Sequence, residues 1–290
     1  MSTIIKLNHL SCLKVCGDQA KALLQGQLTC HLDEITSVQS RLGAHCNPQG
    51  RVLSFFRIFY HDNSYFLHMP RDILPLALAT LNKYAIFYKL KPVMTDELLF
   101  IGLNGQPPSH LLSHLPVSTD DIIYQNDFSI VKIPGLHHRY LIFGAADAIE
   151  KLYETLKIHF SVLTTDAWKL VDIQHKIPSI TPDTIGKFLP HELFLHELNA
   201  VSFNKGCYTG QEIIARMQYR GKLKNQLQIC TLTSPEKVLP GQDVYDASGK
   251  VAGTIVDACE SIMPTHTLLI STPYITSLFL DAHQQLPLAF

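Results

Sequence analysis

Long apolar runs, surplus charge and paired cysteines are what this 290-residue sequence has least of. No uninterrupted apolar stretch is long enough to span a bilayer, so no transmembrane helix is expected. The formal net charge is −1, which excludes a global basic field and leaves any RNA contact to a local patch. Seven cysteines, an odd number with no C-x-x-C pair, exclude a disulfide framework in a chain of this size, and reduced thiols are expected. Cys12 and Cys16 are spaced i, i+4 on a predicted strand, but the further ligands of a zinc site are missing, and no metal is expected. The opening MSTIIKLNHL carries Lys6 and His9 inside its apolar stretch and lacks the pattern of a leader. The expectation is a cytoplasmic monomer with no membrane association.

What is present is apolar content of 46%, enough for a folded chain of two or three modules at this length. One stretch reads as a site: SFNKGCYTGQEIIARMQYRG, Ser202 to Gly221. Thr209, Gly210, Gln211 and Glu212 have the T-x-x-E spacing of a capping box, which predicts a helix start at Thr209. Ile213, Ile214 and Met217 give it an apolar face, Glu212, Arg216 and Arg220 fall four apart on the opposite flank, and Gly221 supplies the stop. Cys207 lies just before the cap with Lys205 two residues away, a setting that favours a thiolate nucleophile or soft ligand. Gly206 and Gly210 would leave the sulfur accessible. A buried, inert cysteine beside an ordinary cap is the alternative.

Along the chain, residues 4–16 alternate as an edge-like strand, and a helix is expected from about Gln19 to Gln25, ending at Gly26. Asn47, Pro48 and Gly50 make a turn, and Val52–Tyr60 and Tyr65–His68 a hairpin. A helix over Asp72–Tyr84 and a strand through Leu90 complete a β-β-α-β unit. The pattern returns 75 positions later, where Asp147 falls on Asp72 and Ala148, Leu152 and Leu156 on Ile73, Ala77 and Leu81. Two related units and two convergent amphipathic helices both account for this. Trp168, the only tryptophan, opens a short helix. His191 and His196 are five apart and would diverge by about 140° on a helix, so HELFLHEL reads as a packed turn rather than a metal motif. After Gly221 the period changes to two, over Gln226–Thr233, Asp243–Tyr245, Lys250–Asp257 and Thr267–Ser271, as in a small antiparallel barrel.

KGCYTGQEIIAR followed by Arg220-Gly221 resembles the signature of the YgfZ family, folate-binding relatives of the glycine-cleavage aminomethyltransferase, or T-protein. QGQLT at Gln25–Thr29, AHCNPQGRV at Ala44–Val52, LNKYAIFYKL at Leu81–Leu90 and FLPHE before the motif agree in order, so the resemblance spans nearly the whole chain. It implies an α+β, T-protein-like multidomain fold with two ferredoxin-like β-β-α-β units over 46–164 and a C-terminal antiparallel β-barrel over 222–290. Residues 1–45 plus 165–221 would form the folate-binding and motif domain. The implied cofactor is tetrahydrofolate or another folate, held by Trp168 and, where well-known members carry a second tryptophan, by Leu10. The reactive thiol is Cys207 with Lys205, in a motif formed by Gly206, Tyr208, Thr209, Gly210, Gln211, Glu212, Arg216, Arg220 and Gly221. The implied partners are iron–sulphur enzymes such as tRNA methylthiotransferases. Ser54-Phe55 stand where the aminomethyltransferases carry a catalytic aspartate, so a conventional transferase is not expected. Lys205, Arg216, Arg220, Lys222 and Lys224 would serve direct tRNA contact or an anionic folate tail equally well.

Overall fold

The computed structural model describes residues 2–290 apart from 126, 137, 263 and 274–276. The single edge strand expected over residues 4–16 is two strands in two different sheets. Thr3–Lys6 lies between Ser161–Val162 and Leu99–Asn104, in a sheet continued by Arg139–Gly144, Phe128–Lys132 and Ile122–Gln125. Leu10–Cys16 lies between Ser64–Pro70 and Val93–Thr95, in a sheet continued by Val52–His61 and Arg41–Cys46. Between them the Leu10 amide donates to the Leu7 carbonyl at 3.0 Å, and the chain crosses from one sheet to the other. Neither strand is an edge, because each is hydrogen-bonded to a strand on both sides, and both faces are covered. Ile4 packs outward and Ile5 inward on the first, Leu13 and Val15 outward and Cys12 inward on the second, the period of two that a strand imposes.

The two sheets pack face to face on Phe59, Phe66, Phe100, Phe143 and Trp168. On the outer face of the second lie helices α1 (Ala20–Gln27) and α2 (Leu74–Ala85); on the outer face of the first lies α3 (Ala146–Leu156). Helix α4 (Thr165–Gln174) carries Trp168 into the core between the sheets, and α5 (Gln211–Arg220) follows the motif. A buried ion pair crosses between the sheets, where Arg57 Nη1 donates to Asp120 Oδ1 at 2.5 Å and to Ser40 Oγ at 2.8 Å. Among the described residues no helix is long and apolar enough to cross a membrane.

Two local expectations change. Helix α1 runs through Gly26 to Gln27 and is capped by Leu28, so Gly26 is not its stop. The strand expected to lead through Leu90 is a 3-10 turn, Ile86–Tyr88, because the Leu90 amide returns to the Ala85 carbonyl at 3.1 Å and Lys89 takes a left-handed conformation. This leaves Ile86 and Phe87 exposed.

Beyond α5, Gln226–Thr233, Thr265–Thr272, Val251–Ile262, Asp243–Asp246 and Leu278–Phe279 form a curled five-stranded antiparallel sheet. The C-terminal tail does more than cover it. Ala289 exchanges backbone hydrogen bonds with Thr231 on one edge strand, and Leu288 donates to Leu278 on the other at 2.9 Å.

Where α4 crosses the first sheet, the indole lies against Gly102. A Cβ added there would stand 2.4 Å from Trp168 Cζ3, so the close approach requires glycine. Gly102→Ala should therefore cost about 1–3 kcal/mol through overpacking. A denaturant midpoint equal to that of the parent chain would show that the indole does not rest on this strand.

Candidate functional site

The motif does not open with a side-chain cap. Helix α5 begins at Gln211, its N-cap is Gly210 in a left-handed conformation (φ +84°), and no side chain bonds the first turn. Thr209 faces the other way: its amide donates to the Gly26 carbonyl at 3.1 Å and its hydroxyl to Gln27 Oε1 at 3.1 Å. The expected capping box is displaced because these tertiary partners at the end of α1 take both polar groups of Thr209. Gly210 serves packing rather than exposure of the sulfur, since a Cβ there would lie 2.6 Å from the Asn47 carbonyl oxygen. The helix itself matches the sequence pattern, with Ile214 buried, Glu212, Arg216 and Arg220 exposed, and Gly221 at the C-cap.

Lys205 is turned inward. Its ammonium donates to the carbonyls of Gln25, Leu28 and Cys30 at 2.8, 2.7 and 2.8 Å, which ties the motif loop to the end of α1. Burial pushes its pKa down to about 8. The three carbonyls oppose that shift, because only the ammonium has three protons to give them. Cys207 is exposed, and the polar contact to its sulfur comes from Gln211 Nε2 at 3.6 Å. Gln211 Oε1 accepts from the Tyr208 amide at 3.1 Å. Tyr208 lies under the Lys205 ammonium, 5.0 Å from ring centre to nitrogen, and burial holds its phenol well above the ordinary value and hence neutral.

The stretches that agree with the family in order meet here. Thr29 of QGQLT is fully buried; its hydroxyl donates to the Ala200 carbonyl at 2.6 Å and accepts from the Ala44 amide at 2.9 Å. Gly50 of NPQG packs on Ile213. Arg51 reaches the Lys187 carbonyl at 2.6 Å and Glu192 of FLPHE at 3.3 Å. His191 bonds Gln218 of α5 at 3.0 Å. HELFLHEL is the packed turn that the sequence suggests: Pro190–Leu193 is a 3-10 turn, and the imidazoles of His191 and His196, which would diverge on an α-helix, stand 4.9 Å apart. Among the described residues no group of three His, Cys, Asp or Glu could hold a metal ion.

Trp168 and Leu10 do come together, but elsewhere. Both line a cavity of about 570 Å³ enclosed by the two sheets, α4, the 177–181 segment and Asp257 of the C-terminal sheet. Its walls are apolar and partly flat: Leu10, Leu42, Phe55, Met69, Ile133 and Trp168. One face of the indole is taken by the Arg139 guanidinium, 4.0 Å from the ring centre, which leaves less of it for a ligand than a free stacking platform would. Residues 202–221 do not contribute to the cavity lining. Leu42 lines the cavity, whereas Asn47, just past the other end of the same strand, packs on Gly210 of the motif; five residues of extended chain span about 17 Å.

The polar end of the cavity was missed by sequence reasoning. Asp257 is fully buried and held by Lys169 at 2.6 Å; burial pushes its carboxyl up to about 6. His68 is pushed down to about 3, by burial first and then by Arg57 and His9, and is neutral. The available signal was a single charged or polar residue inside an apolar strand, as in TIVDAC, YFLHM and FFRIF, since such groups stay buried only with partners or a task. Arg216, Arg220, Lys222 and Lys224 form an exposed basic strip, and Tyr219, an aromatic the sequence reading passed over, is exposed among them.

The fold is that of an aminomethyltransferase. The crystal structure of glycine cleavage system aminomethyltransferase T from Bartonella henselae superposes with a TM-score of 0.77 at 15% identity, over 99% of this chain and 84% of that one. No family model matches the chain. The tRNA-modifying protein YgfZ of Colwellia psychrerythraea is 32% identical over 247 residues, 84% of this chain and 75% of that protein. Its namesake from Photobacterium profundum is 32% identical over 232 residues, covering 79% and 69%, and that of Aliivibrio fischeri 28% over 259 residues, covering 88% and 80%. The chain belongs to the YgfZ family.

Cys207 and Cys16 are exposed and the other five cysteines are buried, so iodoacetamide should label those two in the native protein and the rest only after unfolding. Thr209→Ala should leave the Cys207 rate within about twofold, because Thr209 does not cap α5. Mass spectrometry of timed digests reads both. Labelling of a third cysteine at a comparable rate, or a large loss of rate in the Thr209 variant, would contradict this geometry.

Proposed function

We propose that the chain is a cytoplasmic folate-binding protein that supports tRNA modification. In this reading tetrahydrofolate or another folate lies in the Trp168 cavity. Cys207 is the reactive thiol that meets iron–sulphur enzymes such as tRNA methylthiotransferases, and the two sheet–helix units over 46–164 are ferredoxin-like repeats. The observation that carries the proposal is the cavity itself. Its volume falls in the range of small-molecule sites, its apolar walls include flat rings, and two of its buried polar atoms, Asp257 Oδ2 and His68 Nε2, have no hydrogen-bond partner among the described residues. A fused-ring heterocycle with polar edges fits such a lining. Asp72 and Ser179, also in the lining, would meet the more polar remainder of the ligand, beside Arg71, whose guanidinium is paired with Asp96.

Aminomethyl transfer is not part of the proposal. Phe55 stands where the family resemblance expects the transferase carboxylate, and of the three carboxylates that line the cavity Asp257 is held by Lys169 and Asp172 by Arg139, while Asp72 is exposed. Direct tRNA contact is a second reading with its own support: exposed Tyr219 among Arg216, Arg220, Lys222 and Lys224 combines a stacking ring with phosphate-binding charge. The sequences of relatives named for tRNA modification are compatible with either route.

Titration with tetrahydrofolate should change the fluorescence of the sole indole saturably. Trp168→Leu should weaken binding by about 1–3 kcal/mol, roughly 5- to 150-fold, measured by calorimetry. Unchanged affinity in a folded variant would remove the ligand from this cavity.

A further inference from the structure

Asp257 sits on the C-terminal strand Val251–Ile262, yet it reaches into a cavity otherwise walled by the two sheets and α4. It is fully buried. Its two oxygens are treated unequally. Oδ1 accepts from Lys169 Nζ at 2.6 Å and from the Ala258 amide at 2.9 Å, whereas Oδ2 has no partner among the described residues. A buried carboxylate oxygen without a donor is costly, and a purely structural Asp–Lys pair would be expected to share its donors between both oxygens. The free oxygen therefore points to a donor that the ligand brings. Lys169 already balances the charge, so the donor need not be a cation. The flat apolar walls, Trp168 and Phe55 among them, restrict it to an edge of a planar ring.

We propose that Asp257 is the specificity-determining residue of this cavity, its unpartnered Oδ2 accepting from the amino-substituted, N–H-bearing edge of a planar heterocycle such as a 2-amino-4-oxopteridine. This rests on the folate reading and deepens it by stating which end of the molecule is buried and what selects it. A ring with an oxygen in place of the amino group sets two acceptors against each other at a buried site and is disfavoured. His68, whose Nε2 is also unpartnered and lines the same cavity, is free to serve a second ring atom as donor or acceptor according to its tautomer.

The test compares 2-amino-4-oxopteridine with 2,4-dioxopteridine as competitors of tetrahydrofolate, followed by calorimetry or equilibrium dialysis. The parent protein should prefer the amino compound at least tenfold. Asp257→Asn, checked for fold by its melting curve, should reduce that preference to about twofold, and Asp257→Glu should keep part of it. A parent protein that binds tetrahydrofolate without distinguishing the two rings, or a folded Asn variant that keeps the full preference, overturns the assignment of Asp257 and leaves the folate reading standing. A folded parent protein that does not bind tetrahydrofolate at all overturns the folate reading and this inference with it. Should the Asn variant not fold, the ring preference of the parent protein decides alone: its presence supports the assignment and its absence overturns it.

Discussion

A guanidinium with no exposed surface, Arg139, is the constraint from which the central cavity follows. A charge buried this completely is tolerated only when it is paired. Its two terminal nitrogens are met from three directions, by Asp172 at 2.8 Å, by the Trp168 carbonyl at 3.1 Å and by the Pro134 carbonyl at 3.2 Å, with the indole ring over its plane, while Nε has no hydrogen-bond partner among the described residues. Those partners fix α4 against the first sheet. Once α4 is fixed, Trp168 is pressed onto Gly102 and Lys169 is directed at Asp257 in the C-terminal sheet. One buried cation on a strand thus positions the ring wall of the cavity and, through the next residue, its polar end.

Lys205 plays the corresponding part in the motif. By giving its three protons to carbonyls at the end of α1, it holds the loop that presents Cys207 and turns its own charge away from solvent. The consequence for function is a division of labour. The exposed thiol lies on one side of the strand Arg41–Cys46 system and the cavity opens at the other end of it, with no residue of 202–221 in the lining. Folate in this cavity would therefore not be attacked by Cys207. It would act through the packing that joins the two places, by stabilising the fold when bound.

Much of this was legible in the sequence, and what was not has a common cause. Helix positions followed from periodicity where an element faces one core, as in α3 and α5, and the strands Val52–His61 and Gln226–Thr233 were legible as well. The Asp62-Asn63 turn was readable from its residues, and both take positive φ. Periodicity failed where the chain changes partners. Residues 4–16 alternate continuously, and nothing local says that their two halves belong to different sheets. Thr209 carries the spacing of a capping box, yet Gly26 and Gln27, distant in sequence, are better partners for its amide and hydroxyl. At the candidate sites, resemblance brought Trp168 and Leu10 to one cavity and Cys207 to the surface. Asp257, Lys169, His68 and Arg139 went unread because each is polar alone in an apolar segment, and its partner lies in another element.

The central claim is that folate occupies the Trp168 cavity and not the neighbourhood of the motif cysteine. A crystal structure of the chain with tetrahydrofolate tests it most directly. The account predicts density for the fused ring between Leu10 and Trp168, with an edge at Asp257 and no contact to Cys207. Density beside Cys207 with an unchanged, empty cavity would contradict it.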